Sequence, residues 1–349
     1  MKNNINFKKG FSLIEISVVL LIIGILISGI LVGQDLILDA KIKSAQNLTK
    51  TSPVNKIPDL TLWLDVNAEQ SLITTQTADR CLEKYVNYQD LLGNERICGW
   101  RDINPQTSLA QKVTLSINNT HTTATMPTYV LNGIGGLPSL YFDGNDYLIS
   151  STPQSTDIAN TLVNVDLLNL LSPSEVSFFM VQQYEKPATT GNQANLFTHL
   201  SNSFAIYNTT TGTSPNFLYS SNFNFANTIS NTTASSATPT NLPQVVSFIR
   251  ENGSTELYLN SAITTISNNT STASLNNSSL PISIGAAITV TTNTTGTPPV
   301  TTTTTFSPTA NTYFTGKISE IIIFNRKISK REKIQVENYL LQKYRIKKT

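Results

Sequence analysis

A single carboxylate, Glu15, interrupts an otherwise apolar stretch near the start of the chain, "FSLIEISVVLLIIGILISGILVG". A charged side chain at the depth of a bilayer costs roughly 3 kcal/mol or more unless it meets a partner. An apolar segment that only anchors a protein has no use for such a group. Glu15 is therefore either a charge that a plain anchor tolerates or a charge that another group is built to meet.

A second set of oxygen-bearing side chains lies in "FDGNDY", where Asp143, Asn145 and Asp146 are close together. Carboxylate and amide oxygens are the ligands that Ca²⁺ prefers. Asp, Gly and Asn are also the residues that tight turns require, and the spacing does not match an EF-hand loop. We favour a plain hairpin turn here and keep calcium as the alternative; no other cofactor is expected.

The chain has two cysteines, Cys81 and Cys98. In an exported chain an even number of closely spaced cysteines indicates a disulfide, which we predict between these two. There is no C-x-x-C pattern and no Cys/His cluster, so a zinc site is not expected. His121 and His199 are far apart and are interpreted as ordinary surface or packed residues.

The sequence lacks the common catalytic patterns. Glycanases on a β-sandwich place paired carboxylates on one strand as E-x-D-x-x-E, and here "ELYLN" and "SEIII" carry one acid each. Neither a G-x-S-x-G elbow nor a phosphate loop is present. Four aromatic residues could stack on a sugar ring, but their positions on alternating strands favour a core role: Trp63, Trp100, Tyr141 and Tyr147. We predict that the protein is not an enzyme.

The N-terminal segment has the pattern of a membrane-spanning helix. The 18 residues 16–33 carry no charge and would span about 27 Å as a helix, close to the hydrocarbon thickness. Lys8 and Lys9 should keep the start in the cytoplasm and send the following part outward. No signal-peptidase site follows, and an amphipathic pattern continues to residue 50, with Leu38, Ile42, Ala45 and Leu48 on one face. The prolines in 51–58 predict a linker there.

The stretch "KKGFSLIEISVVLLIIGILISG" resembles the leader of type IV pilins and type II secretion pseudopilins. The resemblance implies that residues 1–10 are a leader, that prepilin peptidase cuts between Gly10 and Phe11, and that Phe11 is then N-methylated. It also implies that Glu15 neutralises the N-terminal ammonium of a neighbouring subunit when helices bundle in a filament. The expected partners are prepilin peptidase, other pilin or pseudopilin subunits and the inner membrane.

Residues 59–349 change to an alternating pattern typical of strands, as in "LTLWLD", "EVSFFMVQQY", "QVVSFIR" and "KISEIIIFN". We therefore predict a mainly β fold: the long N-terminal transmembrane helix followed by an antiparallel β-sandwich. Two polar tracts, 208–241 and 288–312, look like insertions, and we expect the second to be a long mobile loop. Near the end, Ser329 and Glu332 form a capping-box pattern that predicts one short C-terminal helix.

The order of "LTLWLD", "GWRDI", "PTYVLNGIGGLPSLYFDGNDYLI" and the C-terminal motif resembles the concanavalin A-like, laminin-G-like jelly-roll superfamily. That resemblance implies two packed antiparallel sheets and often a glycan- or protein-binding role.

With only 13% charged residues and many Ser, Thr and Asn, the composition also favours an extracytoplasmic protein. Our main interpretation is a minor pilin- or pseudopilin-like subunit, single-pass in the bacterial inner membrane with a periplasmic head that enters a filament. The alternatives are an exported glycan-binding or carbohydrate-active surface protein and a DNA-uptake component, although nucleic acid is not the expected partner.

Overall fold

The computed structural model describes residues 12–74, 85–86, 91, 93–108, 112–116, 123–150, 175–185, 193–199, 204–211, 214–220, 228–229, 242–251, 254–268, 282–295 and 301–348. The chain divides into two compact units, Met1–Ser44 and Ala45–Thr349. The second unit is called the head below.

The helix α1 runs over Leu13–Thr51, which is 39 residues. It ends one residue past the predicted position, and a short 3₁₀ helix, Pro53–Lys56, follows. Within the part of the chain that the structure describes, no helix has both the length and the hydropathy of a membrane span. The predicted linker 51–58 is packed into the head, because Val54 and Ile57 are buried in its core.

Antiparallel strands form the head, as predicted, and within the described residues they fall into two large sheets and a ribbon. The first sheet contains β1 (Leu60–Asp65), β6 (Thr128–Val130), β7 (Ser139–Asp143), β9 (Glu175–Tyr184), β14 (Gln244–Glu251), β15 (Ser254–Leu259), β16 (Ala262–Asn268) and β20 (Thr315–Phe324). The second contains β2 (Leu72–Thr74), β3 (Tyr85–Val86), β4 (Ile97–Arg101), β5 (Thr114–Ser116), β8 (Leu148–Ser150), β10 (Gln193–His199), β11 (Phe204–Thr211), β12 (Ser214–Ser220), β13 (Thr228–Ile229) and β17 (Ile282–Ile284).

The strand order in the first sheet is β16-β15-β14-β9-β20-β7-β6. The long strand β20 pairs with β9 along one edge. Its other edge is shared by two strands, because β7 pairs with the first part of β20 and β1 pairs with the rest. This arrangement makes β20 the centre of the sheet and places it next to the first strand of the head.

Both faces of the first sheet are covered. One face packs against the second sheet through a core that includes Leu62, Met180, Ile321 and, from the other side, Trp100. The opposite face packs against the end of α1 and the C-terminal helix. This double burial explains why β1, β9, β14 and β20 are buried on both faces and do not keep the strict alternation that we predicted for the strands. Each fully buried large aliphatic or aromatic side chain contributes roughly 1.5–3 kcal/mol by leaving water.

The C-terminal helix α2 runs over Lys330–Lys343 and begins with the predicted capping box. The Ser329 hydroxyl accepts from the N–H of Glu332, and the Glu332 carboxylate accepts from the N–H of Ser329. One face of α2 is an apolar stripe whose members all lie in the core on the outer face of the first sheet: Val336, Leu340, Leu341 and Tyr344. On the same face lie two members of the apolar face of α1, Ala45 and Leu48.

The polar tract 288–312 is not the mobile loop that we predicted. It forms a two-stranded ribbon of β18 (Ile288–Thr295) and β19 (Thr301–Pro308), paired in register from Ile288 with Pro308 to Thr295 with Thr301. Low sequence complexity indicated a loop, but threonine is β-branched and favours extended backbone. Strands β11 to β13 similarly occupy part of the other tract, 208–241.

Candidate functional site

The start of α1 places Glu15 beside Ser12. The Glu15 carboxylate Oε2 accepts a hydrogen bond from the Ser12 N–H at 2.7 Å, and the Ser12 hydroxyl accepts one from the Glu15 N–H at 3.3 Å. This is a capping box, which satisfies N–H groups that the first helical turn leaves unpaired. It also sets a negative charge at the positive end of the helix dipole. This local role was not predicted, although S-x-x-E is visible in "SLIE".

Gly10 and Phe11, the predicted cleavage and methylation residues, lie outside the described residues. What the structure does describe is the helix immediately after them. Its first half exposes many large aliphatic side chains, several of them more than half exposed: Leu13, Ile14, Ile16, Val18, Val19, Leu20, Leu21, Ile22, Ile23, Ile25, Leu26 and Ile27. Apolar surface of this extent marks a site of contact with protein or lipid.

The turn between β7 and β8 contains the calcium candidates. The N–H of Asp143 donates to Oδ2 of Asp146 at 2.8 Å, and the N–H of Asn145 donates to Oδ1 of Asp143 at 3.2 Å. Gly144 has a φ of 103°, which glycine adopts without strain. These contacts are those of a turn, but the turn joins the two sheets rather than two strands of a hairpin. Among the described residues no group of three or more His, Cys, Asp or Glu side chains could hold a metal ion.

Asp146 is nevertheless an unusual acid. Its side chain is completely buried, and its Oδ1 has no hydrogen-bond partner. The Arg96 guanidinium lies 3.7 Å from that oxygen, beyond hydrogen-bond distance. Burial therefore dominates and raises the pKa of Asp146 to about 8. The carboxyl stabilises the turn by accepting from the N–H of Asp143, but its burial makes it difficult to ionise.

The remaining candidates from the sequence are mostly core residues. Trp63, Trp100 and Tyr147 are buried, so they pack in the head and are not available to stack on a ligand, whereas Tyr141 is half-buried. Cys98 is buried beside Ile73 and Met126. Cys81 and His121 lie outside the described residues, and the disulfide between Cys81 and Cys98 stays a prediction.

The chemically densest place in the head is a group of three buried ionisable side chains, Asp65, Glu320 and Lys343, which we call the buried charged cluster. Asp65 ends β1, Glu320 lies in the middle of β20, and Lys343 ends α2. All three side chains have no exposed surface. The Lys343 Nζ lies 2.6 Å from Asp65 Oδ2 and 2.7 Å from Glu320 Oε2.

Glu320 receives three further hydrogen bonds from aromatic residues. The indole Nε1 of Trp63 donates to Oε1 at 2.8 Å, the hydroxyl of Tyr339 donates to Oε1 at 2.8 Å, and the hydroxyl of Tyr344 donates to Oε2 at 2.9 Å. With Lys343 this makes four donors for one carboxylate. A buried charge is tolerable only with such compensation.

Asp65 has a different set of donors. Its Oδ2 accepts from the Thr49 hydroxyl at 2.8 Å, and its Oδ1 accepts from the N–H of Asn67 at 2.9 Å. Thr49 belongs to the last turns of α1 and is also 2.8 Å from the Lys343 Nζ. The buried charged cluster therefore joins the end of α1, the first strand, the central strand and the last helix of the head.

The environment changes how these groups titrate. Burial raises the pKa of Glu320, and the Lys343 ammonium only partly offsets that effect. For Lys343, burial alone would lower the pKa, but the carboxylates of Asp65 and Glu320 raise it above its ordinary value. Burial and the Glu320 charge raise the pKa of Tyr339 and Tyr344 well above the usual range, so both hydroxyls remain donors.

This cluster was not predicted from the sequence. Its one visible signal is Glu320, an acid inside the apolar strand "ISEIIIF". Its partners Asp65 and Lys343 are 278 residues apart and no motif links them.

Comparison with known proteins supports the N-terminal prediction. Residues 5–31 match the family described as "Prokaryotic N-terminal methylation motif". The chain thus carries the methylation motif of prokaryotic pilins at the position predicted. None of the curated protein sequences compared with this chain matches it.

Among solved structures, an arabinofuranosidase complexed with arabinofuranosyl-alpha-1,2-xylobiose is similar to this chain with a TM-score of 0.50 and 9% identity, over 83% of this chain and 64% of that one. At this identity the likeness shows the fold alone, a mainly β antiparallel sandwich.

Two weaker similarities carry no inference about this protein. Domain 4 of AbnA, a GH43 extracellular arabinanase from Geobacillus stearothermophilus, in complex with arabinotriose, gives a TM-score of 0.37 at 15% identity, over 61% of this chain and 81% of that one. The botulinum neurotoxin serotype D binding domain gives 0.39 at 12% identity, over 81% of this chain and 51% of that one. The chain thus spans about half of the toxin domain and less than two thirds of the arabinofuranosidase.

Proposed function

We propose that this protein is a pilin-like subunit of a bacterial envelope filament and that it displays a β-sandwich head. The observation that carries the proposal is the methylation motif at residues 5–31, followed directly by α1. The role is structural rather than catalytic. The large head favours a minor or tip position over a major one, and we place the head in the concanavalin A-like class.

The exposed aliphatic side chains of α1 between Leu13 and Ile27 support this role. Before assembly they would lie in the inner membrane, with the head on the periplasmic side. After assembly they would pack against the same region of neighbouring subunits. In both states the apolar surface leaves water, which is the dominant favourable term in association.

Glu15 would then have two functions. Its bond to the Ser12 N–H caps its own helix, and its carboxylate still has free lone pairs. Cleavage after Gly10 would leave an ammonium on Phe11. Glu15 would accept from the Phe11 ammonium of a neighbouring subunit, and this ion pair would set the register between helices more than it adds raw stability.

A DNA-binding role has less support. Near the C-terminus, where the sequence is rich in Lys and Arg, Lys333 and Lys343 are buried in ion pairs with acids of the head. Arg326 and Lys327 pair with Glu332 and Glu251. These four cations are therefore already neutralised within the head, which weakens the case for a phosphate-binding surface.

The mature N-terminus tests the proposal. Mass spectrometry of the protein from its native envelope should find a chain that begins at an N-methylated Phe11. Gly10→Val should block the cleavage and leave the leader attached. Gly33→Val is the matched control, because a side chain added at Gly33 meets no atom within 4 Å. A wild-type protein that still begins at Met1 would contradict the proposal.

A further inference from the structure

We propose that the buried charged cluster is a self-modification site, in which the Lys343 side chain forms an isopeptide bond with the Asp65 side chain. Glu320 acts as the general base for this reaction. The product is an amide between Lys343 Nζ and Asp65 Cγ, and the by-product is one water molecule. This inference does not depend on the role of the N-terminal segment.

The geometry places the reacting groups together. Lys343 Nζ is 2.6 Å from Asp65 Oδ2, and neither side chain has any exposed surface. Holding a nucleophile against its target in one fixed arrangement replaces a bimolecular encounter and is a large source of rate acceleration. Burial also favours the product, because a neutral amide does not carry the desolvation penalty of a buried ion pair.

Asp65 rather than Glu320 is the carboxyl that reacts. Glu320 accepts from three aromatic donors besides Lys343, and those bonds occupy both of its oxygens and hold the side chain in place. On Asp65 the two oxygens are already distinguished: Oδ1 accepts from the N–H of Asn67, and Oδ2 accepts from the Thr49 hydroxyl. Oδ1 is placed to remain as the amide carbonyl, and Oδ2 is placed to leave as water.

Glu320 Oε2, at 2.7 Å from Lys343 Nζ, is within reach of the proton that must be removed. The Lys343 ammonium gives one proton to Glu320, and the neutral amine attacks Asp65 Cγ. The carbon–nitrogen bond forms, and the carbon–Oδ2 bond breaks. Glu320 passes its proton to Oδ2, which also receives a second proton from nitrogen and leaves as water. Glu320 ends in the state in which it began, and no oxidant, reductant or further reactant is consumed.

The consequence is a covalent connection between the first strand and the last helix of the head. Asp65 and Lys343 are 278 residues apart, so the bond would close nearly the whole head into one ring. A cross-link of this kind restricts the unfolded chain much as a disulfide does, without depending on redox conditions.

The experiment is peptide mass spectrometry on the full-length wild-type protein after denaturation and trypsin digestion. We expect a linked pair of peptides, one with Asp65 and one with Lys343, lighter than their sum by one water. The peptide that ends at Lys343 should be nearly absent, because trypsin does not cleave after an acylated lysine. Wild-type protein that yields this peptide in full, with the Asp65 peptide unlinked, would overturn the proposal.

Variants separate chemistry from packing. Asp65→Asn should still form the link but lose ammonia instead of water, a mass difference that no purely structural role produces. Glu320→Gln should reduce the linked fraction at least tenfold at equal times, and Lys343→Arg should abolish it. Lys333→Arg is the matched control, because Lys333 is also buried and, among the described residues, its ion-pair partner is a single acid, Glu337. A Glu320→Gln protein that links as fast as wild type would overturn the general-base role.

Discussion

Two glutamates in this protein each interrupt an apolar run, Glu15 in "SLIEISVV" and Glu320 in "ISEIIIF". Glu15 is exposed, and among the described residues its hydrogen bonds go to Ser12, three positions away. Glu320 is completely buried and accepts from groups on β1 and on α2. The same sequence pattern thus occurs at an exposed position whose partner is three residues away and at a buried position whose partners are distant in the chain.

A third glutamate, Glu332, combines a helix cap with an ion pair inside the head. Glu332 closes the capping box of α2 as Glu15 closes that of α1, but it also forms two hydrogen bonds with the Arg326 guanidinium, at 2.7 and 3.1 Å. Those bonds hold the pKa of Glu332 at about 2, well below the usual range. Glu332 therefore has its cation within its own chain. For Glu15 we propose that the cation belongs to a neighbouring subunit.

The largest expected effect is that of Glu320→Ala on the stability of the head. In protein whose Lys343 and Asp65 are not linked, removing this carboxylate leaves Lys343 buried with Asp65 as its remaining acid among the described residues, and it takes the acceptor from Trp63, Tyr339 and Tyr344. Where the proposed isopeptide bond forms in the wild type, the variant also loses that cross-link, which adds to the loss of stability. Breaking a buried ion pair from one side typically costs 3–5 kcal/mol, and we expect a loss of about 4 kcal/mol in the free energy of unfolding. Urea unfolding of the full chain, followed by tryptophan fluorescence, measures it.

The matched control is Glu69→Ala, since Glu69 pairs with Lys50 on the surface at 3.3 Å. An exposed pair contributes about 0–1 kcal/mol. If Glu320→Ala lowered the free energy of unfolding no more than Glu69→Ala, the buried Glu320 would not be important for the stability of the head. The proposed difference between Glu320, which stabilises the fold, and Glu15, which acts in assembly, would then not hold.

Glu15→Ala should show the opposite behaviour. We expect incorporation into filaments to fall at least tenfold, which corresponds to about 1.4 kcal/mol of lost interaction per contact. The free energy of unfolding of the head should change by less than about 0.5 kcal/mol, as for other exposed positions. Sheared-filament yield and urea unfolding measure the two quantities.

Two variants show whether charge or capping matters at this position. Ser12→Ala removes the capping hydroxyl and keeps the Glu15 carboxylate, so filament yield should remain within a few-fold of wild type. Glu332→Ala removes the equivalent glutamate of α2 and should leave assembly intact. A Ser12→Ala protein as defective as Glu15→Ala would mean that Glu15 acts only as a cap.

Asp146 extends the comparison with Glu320. It is equally buried, but its Oδ1 has no hydrogen-bond partner, whereas both oxygens of Glu320 accept from side-chain donors. Its folded pKa of about 8 lies above the unfolded value near 3.8, so between these values the folded state binds more protons than the unfolded state. Stability should therefore fall as pH rises through this window, with a slope of up to about 1.4 kcal/mol per pH unit. Asp146→Asn should flatten the slope and stabilise the head at pH 7. Urea unfolding at pH 5, 6 and 7 measures this, and equal slopes in both proteins would contradict it.

Much of the fold was accessible from the sequence because it rests on local pattern. Strands 60–65, 175–184 and 315–324 coincide with or overlap the segments "LTLWLD", "EVSFFMVQQY" and "KISEIIIFN" that were predicted as strands. The methylation motif has a fixed spacing, so it too could be identified directly.

The rest depended on partners that are distant in the chain. Nothing near Lys343 in "LLQKYRIKK" indicates that it alone of these cations would be completely buried between Asp65 and Glu320. The ribbon of β18 and β19 was missed because its threonine repeats satisfy two opposed rules, low complexity for a loop and β-branching for a strand. The tract forms strands because its two halves pair with each other, and the preferences of single residues carry no information about such pairing.

The smallest expected effect comes from the capping serines. Ser329→Ala removes the acceptor for the N–H of Glu332 at the start of α2, a helix whose apolar stripe is part of the core. We expect a loss of about 1 kcal/mol in the free energy of unfolding of the head. Ser12→Ala makes the same chemical change at the start of α1, within residues 1–44. Urea unfolding of the head should not detect it, because the lost hydrogen bond is local to a helical turn outside the head. Equal losses in the two variants would show that the two capping boxes stabilise the same cooperative unit. The start of α1 would then contribute to the folding of the head, which would contradict the proposal that it acts in assembly and not in folding.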